Sequence, residues 1–169
     1  MQRVGFFGGC FNPPINTHIN LANNLIKEGK LDKVIFVPVG DYYQKQDLAP
    51  AIHRYNMLKI ACKDYENLEV EEIASTHQEK LFAKDTFELI YEKYKNNVEI
   101  YLIMGSDNFE RMPTWKNYEE IKDKYKYIVL DRTQELSSTD IRSKLQKGED
   151  VSNYITPEVL EYVEKNRLY

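Results

Sequence analysis

The sequence predicts an α/β fold: a doubly wound parallel sheet of about five strands, with helices on both faces and a C-terminal helical segment. Two observations carry this. Short apolar runs alternate along the chain with longer segments whose apolar residues recur at helical spacing. That alternation builds parallel sheets joined by right-handed crossovers. The runs are also apolar at nearly every residue, the pattern of strands covered on both faces. With 169 residues, no internal repeat and no linker-like stretch, residues 1–169 read as a single domain.

Arg3-Val4-Gly5-Phe6-Phe7 is the first buried strand, and residues 19–26 form the first helix, with Gly29 as its C-cap. Val34-Ile35-Phe36-Val37 is the second strand, stopped by Pro38. A polar loop over 39–50 leads to a helix over 54–62 that turns Met57, Leu58 and Ala61 inward. Residues 68–73 alternate apolar with acidic, a strand with one wet face. A helix over 85–94 precedes the strand 98–104, which ends at Gly105. Short helical stretches over 108–111 and 116–123 lead to a fifth strand over 127–130. Ser138 opens a helix running through Leu145, and Pro157 lies in the first turn of a last helix over 157–163.

The chain carries 23 basic and 27 acidic residues, net −4. That balance argues against a nucleic-acid binder working through a broad basic surface. No apolar run is long enough to span a membrane, and the strand-like start leaves no room for a signal peptide. Cys10 and Cys62 have no metal or disulfide spacing, which makes a reduced cytoplasmic setting the expectation. His53 and His77 read as structural and as a loop residue.

In a parallel sheet the loops after the strands gather at one edge, and here they carry a common chemistry. After the first strand come Gly8, Gly9, Asn12 and His18; after the second, Asp41, Tyr43 and Lys45. After the fourth come Gly105, Ser106, Asp107 and, further on, Trp115; after the fifth, Arg132 and Ser137-Ser138-Thr139-Asp140-Ile141-Arg142. Singly, each has a plain reading: a turn, an N-cap, a solvated lysine. Together they supply phosphate donors: glycine N–H groups at a helix start, Lys, Arg, hydroxyls and one His. The set lacks a covalent-catalysis triad and a metal-ligand cluster. It fits a site that handles phosphates by positioning and electrostatics.

The order of these loops resembles the T/H-x-x-H nucleotidyltransferases, most closely the nicotinate or nicotinamide mononucleotide adenylyltransferases. Gly8-Gly9-Cys10-Phe11-Asn12-Pro13-Pro14 with His18 resembles their G-G/S-x-F-D/N-P signature, with Ile15 standing where the family has His or Thr. Residues 37–45 with Leu48, Pro50, His53 and Arg54 are similar to the substrate loop of the eukaryotic-type members. Asp85-Thr86, Gly105-Ser106-Asp107 with Trp115, Ser137-Ser138-Thr139-Asp140-Ile141-Arg142 and the closing stretch to Tyr169 follow in family order. The resemblance implies a Rossmann-like fold and transfer of AMP from ATP to a pyridine mononucleotide, with release of pyrophosphate, in NAD biosynthesis. It implies His18, Lys45 and Arg142 as the catalytic residues. ATP would be held by Gly8, Gly9, Cys10, Phe11, His18, Gly105, Asp107, Ser137, Ser138, Thr139 and Arg142. The mononucleotide would meet Asn12, Asp41, Tyr43, Lys45, Asp85, Thr86 and Trp115. Magnesium would ride mainly on the ATP phosphates and water. Neither nucleic acid nor membrane is an expected partner, and homo-oligomerisation stays open. The alternatives are another phosphorylated acceptor on the same fold, or a nucleotide-binding module without catalysis, which the aliphatic Ile15 suggests.

Overall fold

The first strand, β1 (Gln2–Gly9), is the middle strand of the sheet. In the computed structural model, which describes residues 1–43, 45–131 and 136–169, β1 is flanked by β2 (Lys33–Pro38) and β4 (Val98–Gly105). β3 (Leu68–Val70) and β5 (Lys126–Leu130) lie at the two ends, so the strand order is β3-β2-β1-β4-β5, all parallel. The helices are α1 (Asn16–Lys27), α2 (Ala51–Cys62), α3 (Ala83–Tyr94), α4 (Ser106–Arg111), α5 (Tyr118–Ile121), α6 (Ser138–Gln146) and α7 (Pro157–Lys165). This is the expected Rossmann-like α/β class.

Strand side chains alternate between two apolar layers. Phe7, Val34, Phe36 and Ile103 face the layer closed by α1, α2, α6 and α7. Val4, Phe6, Ile35, Val37 and Leu102 face the layer that Ile90 of α3 helps to fill. Met57, Leu58 and Ile141 are fully buried, and truncating one such side chain costs about 2–5 kcal/mol. Gly5 is needed for closeness: a Cβ there would stand 2.5 Å from both Ile103 Cδ1 and Leu31 Cδ1.

The boundaries shift where side chains capture the backbone. The strand expected over 68–73 ends at Val70, because Glu71 turns inward. Its carboxylate accepts from Lys93 Nζ at 2.7 Å, from the Tyr94 hydroxyl and from Ile73 N, which draws the chain off the sheet. α2 begins at Ala51, three residues earlier than expected, because Asp41 Oδ1 accepts from Ala51 N at 2.7 Å. The helix expected over 116–123 is only Tyr118–Ile121, since Asn117 adopts the left-handed φ of 64°. Arg132 lies outside the described residues.

β1 and β4 are neighbours whose onward connections leave toward opposite ends of the sheet. Between their carboxyl ends opens the crevice in which such sheets bind ligands. Among the described residues no helix is long and apolar enough to cross a membrane.

Candidate active site

A cleft of about 1470 Å³ runs along the carboxyl edge of the sheet, lined by the loops after β1, β2, β4 and β5 and by the start of α3. Its floor is the β1–α1 loop. Phe11 holds the left-handed φ of 49°, a costly conformation for a non-glycine residue, and its ring contacts keep it there. The ring packs against Phe7, Phe36 and His18, with centroids 5.1–5.6 Å away. It also covers Gly9, where a Cβ would stand 3.1 Å from it, so the backbone lies against the ring. Gly8 has open space in the direction of a side chain, which leaves the main chain accessible from the cleft.

His18 sits in the first turn of α1. Its Nδ1 accepts from Ile15 N at 3.1 Å, so in the neutral ring the proton resides on Nε2. Burial against Phe7 and Phe11 pushes its pKa down to about 4. At neutral pH His18 is thus an uncharged N–H donor facing the cleft. Ile15 is 4% exposed and packs into the core with Phe7, Phe11 and Ile19. It adds apolar contact at the cleft wall and brings no hydrogen-bond donor there.

Two buried arginines hold the back of this loop. Arg142 Nη1 donates to Asn12 O at 2.8 Å and its Nη2 to Thr139 Oγ1 at 3.3 Å, with the side chain 7% exposed at the cleft wall. Arg54 is fully buried; Nη1 donates to Cys10 O at 3.0 Å and Nε to Ala49 O at 2.8 Å. Its Nη2 has no hydrogen-bond partner among the described residues and lies 3.8 Å from Asp41 Oδ1. The start of α6 docks onto the same loop, because Ser138 Oγ donates to Pro13 O at 2.8 Å. Ser137 caps α6: its Oγ accepts from Asp140 N, and Asp140 Oδ2 accepts from Ser137 N at 2.8 Å. Two helix starts, of α1 and α6, therefore line the cleft beside His18 and Arg142.

Gly105 and Asp107 stand across from this loop at the end of β4, and Lys45 lines the β2 side. At the far end Trp115, Thr86 and Phe82 line the cleft. Phe82 lies beneath two cations, Lys116 Nζ at 4.5 Å and Lys80 Nζ at 4.9 Å from its ring centre.

Not every expected contact residue faces this space. Asp41 holds the start of α2, and Asp85 accepts from Phe82 N at 2.8 Å at the start of α3. Neither lines the cleft, because each carboxylate is drawn to the free N–H groups of a helix end. Asn12 lines it, but its amide is spent inside the protein: Nδ2 donates to Asp47 O, and Oδ1 accepts from Ala49 N and the Tyr169 hydroxyl. His53 is structural, paired through Nδ1 with the Tyr162 hydroxyl at 2.8 Å. Sequence reasoning missed the depth of Arg54, though its spacing to Met57, Leu58 and Ala61 puts it on the buried face. Nor does any local signature bring Phe82 together with Lys80 and Lys116.

Among the described residues no group of three His, Cys, Asp or Glu could hold a metal ion. The cleft offers N–H, Lys, Arg and hydroxyl donors, which suit phosphate oxygens.

The chain is 28% identical over 188 residues to the nicotinate-nucleotide adenylyltransferase of Bacillus subtilis, covering all of this chain and 99% of that one. It is 29% identical over the same length to a probable nicotinate-nucleotide adenylyltransferase of Bacillus licheniformis, with equal coverage. Among solved structures, a putative nicotinate-nucleotide adenylyltransferase from Vibrio parahaemolyticus superposes with a TM-score of 0.77 at 26% identity, covering 100% of this chain and 96% of that one. The nicotinic acid mononucleotide adenylyltransferase of Plasmodium falciparum, solved with NaAD, shares the fold with a TM-score of 0.80 at 20% identity, covering 100% and 98%. The cytidylyltransferase-like family profile matches residues 6–152, which take in the β1 loop, the β4 edge and the α6 start, and the chain belongs to that family.

Proposed function

We propose that this chain transfers AMP from ATP to a pyridine mononucleotide, nicotinate mononucleotide above all, and releases pyrophosphate. The observation that carries this reading is one cleft with phosphate donors at one end and an aromatic, cationic wall at the other. The names of the full-length relatives support the acceptor.

The chemistry asks little covalent work of the protein. The mononucleotide phosphate has a second pKa of about 6 and is largely dianionic at neutral pH. Its oxygen attacks the α-phosphorus of ATP; the new P–O bond forms as the bond to the β-phosphate breaks, and pyrophosphate leaves. No general base is needed. The protein brings two polyanions together and stabilises the charge gathering on the leaving group. In this reading His18 Nε2–H and the first-turn N–H groups of α6 hold the β- and γ-phosphates. Arg142 neutralises the departing pyrophosphate, and Lys45 sits over the phosphates shared by donor and acceptor. Gly105 and Asp107 hold the adenosine ribose, and Trp115 stacks on the pyridine ring. Magnesium carried in on ATP would add Lewis-acid stabilisation of the phosphates. Two free cysteines fit a reduced, cytoplasmic setting.

Pyrophosphate release, measured with ATP, magnesium and either nicotinate or nicotinamide mononucleotide, tests the reading. Release dependent on a pyridine mononucleotide is expected. ATP binding without release, whichever mononucleotide is supplied, would leave a nucleotide-binding module or a different acceptor.

A further inference from the structure

The chain does not stop at the end of α7. Leu168 N donates to Val163 O at 3.0 Å and Arg167 N to Glu164 O at 3.2 Å, with Arg167 at a φ of 51°. These two bonds form a Schellman turn, which reverses the chain after a helix. The reversal carries Tyr169 back beneath the β1 loop, where its hydroxyl donates to Asn12 Oδ1. α7 is itself braced on α2, since the Tyr162 hydroxyl bonds His53 Nδ1 at 2.8 Å and accepts from Asn56 Nδ2 at 3.0 Å. Tyr169 is thus delivered by a fixed scaffold. Burial raises its pKa, so the hydroxyl remains a donor at working pH.

Asn12 is the junction this hydroxyl meets. Its Nδ2 donates to Asp47 O at 2.8 Å and its Oδ1 accepts from Ala49 N at 3.0 Å, which ties down the loop carrying Lys45. Its main-chain oxygen accepts from Arg142 Nη1 at 2.8 Å. One residue therefore joins the phosphate loop, the Lys45 loop and Arg142, and Tyr169 holds it from behind.

We propose that Tyr169 is a positioning residue for adenylyl transfer: through its hydrogen bond to Asn12 it fixes the junction from which Lys45 and Arg142 take their relative placement. The proposal rests on the function given above. Tyr169 lies outside the residues matched by the family profile, 6–152.

Tyr169→Phe keeps the ring and removes the one donor. Because misplacement of catalytic groups by an ångström costs about 10²-fold, loss of one tether to the junction should lower kcat by about tenfold. KM for ATP and for the mononucleotide should stay within about twofold of wild type, a split that general loosening would not give. In an Asn12→Ala background Tyr169→Phe should cost nothing further, since the tether then has no recipient. Amide exchange should quicken in segments 8–18 and 45–50 and stay unchanged in 98–105. A kcat within twofold of wild type, or full additivity with Asn12→Ala, would overturn the proposal. If wild type releases no pyrophosphate with either mononucleotide, the functional reading falls; the exchange comparison then decides alone, and unchanged exchange in segments 8–18 and 45–50 overturns the tether.

Discussion

At the proposed phosphate end of the cleft the polar anchors are buried and held by two or more bonds each, with Asn12 2% exposed, Arg142 7% and Arg54 fully enclosed. At the proposed acceptor end Phe82 and Trp115 are half-buried, Lys80 and Lys116 are exposed, and the two lysines hold to Phe82 through its ring face. The contrast follows from what each end must do. Charge develops on the phosphates during the reaction, and donors fixed in a desolvated setting stabilise it without reorganising. In the proposed reaction the pyridine ring changes little, so the wall proposed to meet it would serve binding, which tolerates exposure and side-chain freedom.

The contrast breaks most visibly at Arg142. Arg142→Lys keeps the charge but replaces the planar fork that spans Asn12 O and Thr139 Oγ1 with a single ammonium point. The expected fall in kcat is about 10²-fold, on the scale of a lost transition-state donor; near-normal turnover would move the chemistry away from this end. Trp115→Ala should raise the mononucleotide KM about tenfold, in line with about 1–3 kcal/mol for stacking on an aromatic side chain, and leave kcat within about threefold. A kcat collapse in that variant would erase the distinction between the ends.

A smaller test is thermodynamic. Folding holds His18 neutral with its pKa down at about 4 because the ring is buried. The unfolded chain takes up that proton first, at about 6.5, so stability is fully present above that pH and falls as pH drops toward 4. The loss between pH 7 and 4.5 should be about 2–3 kcal/mol by urea unfolding. His18→Gln should remove that share of the slope; an unchanged slope would mean that the imidazole is not held neutral. At the low end of the scale, Ile15→Thr places a hydroxyl where an aliphatic group now packs. It should lower stability by about 1–2 kcal/mol, read as a lower unfolding midpoint, and raise kcat by less than tenfold.

Much of this was legible in the sequence because it depends on local order. The apolar runs of β1, β2 and β4, the Gly-Gly turn and the Ser-Ser-Thr helix start each state their own structure. Their gathering at one edge follows from a parallel sheet. The roles of Asp41, Asp85 and Asn12 were not legible, because a carboxylate or amide beside a binding loop reads the same whether it faces a ligand or a helix end. Only the packing decides, and it turned Asp41 and Asp85 toward Ala51 N and Phe82 N. Glu71 ended β3 early for the same reason, with partners in α3 more than 20 residues away. Tyr169 and Asn12 are 157 positions apart, beyond any local pattern.

The central claim is that the buried phosphate end carries the reaction, and His18 tests it most directly. Single-turnover pyrophosphate formation with both substrates saturating should fall by about 10²-fold in His18→Ala, while ATP binding weakens by less than about tenfold. Equal single-turnover rates in the variant and the wild type would contradict it.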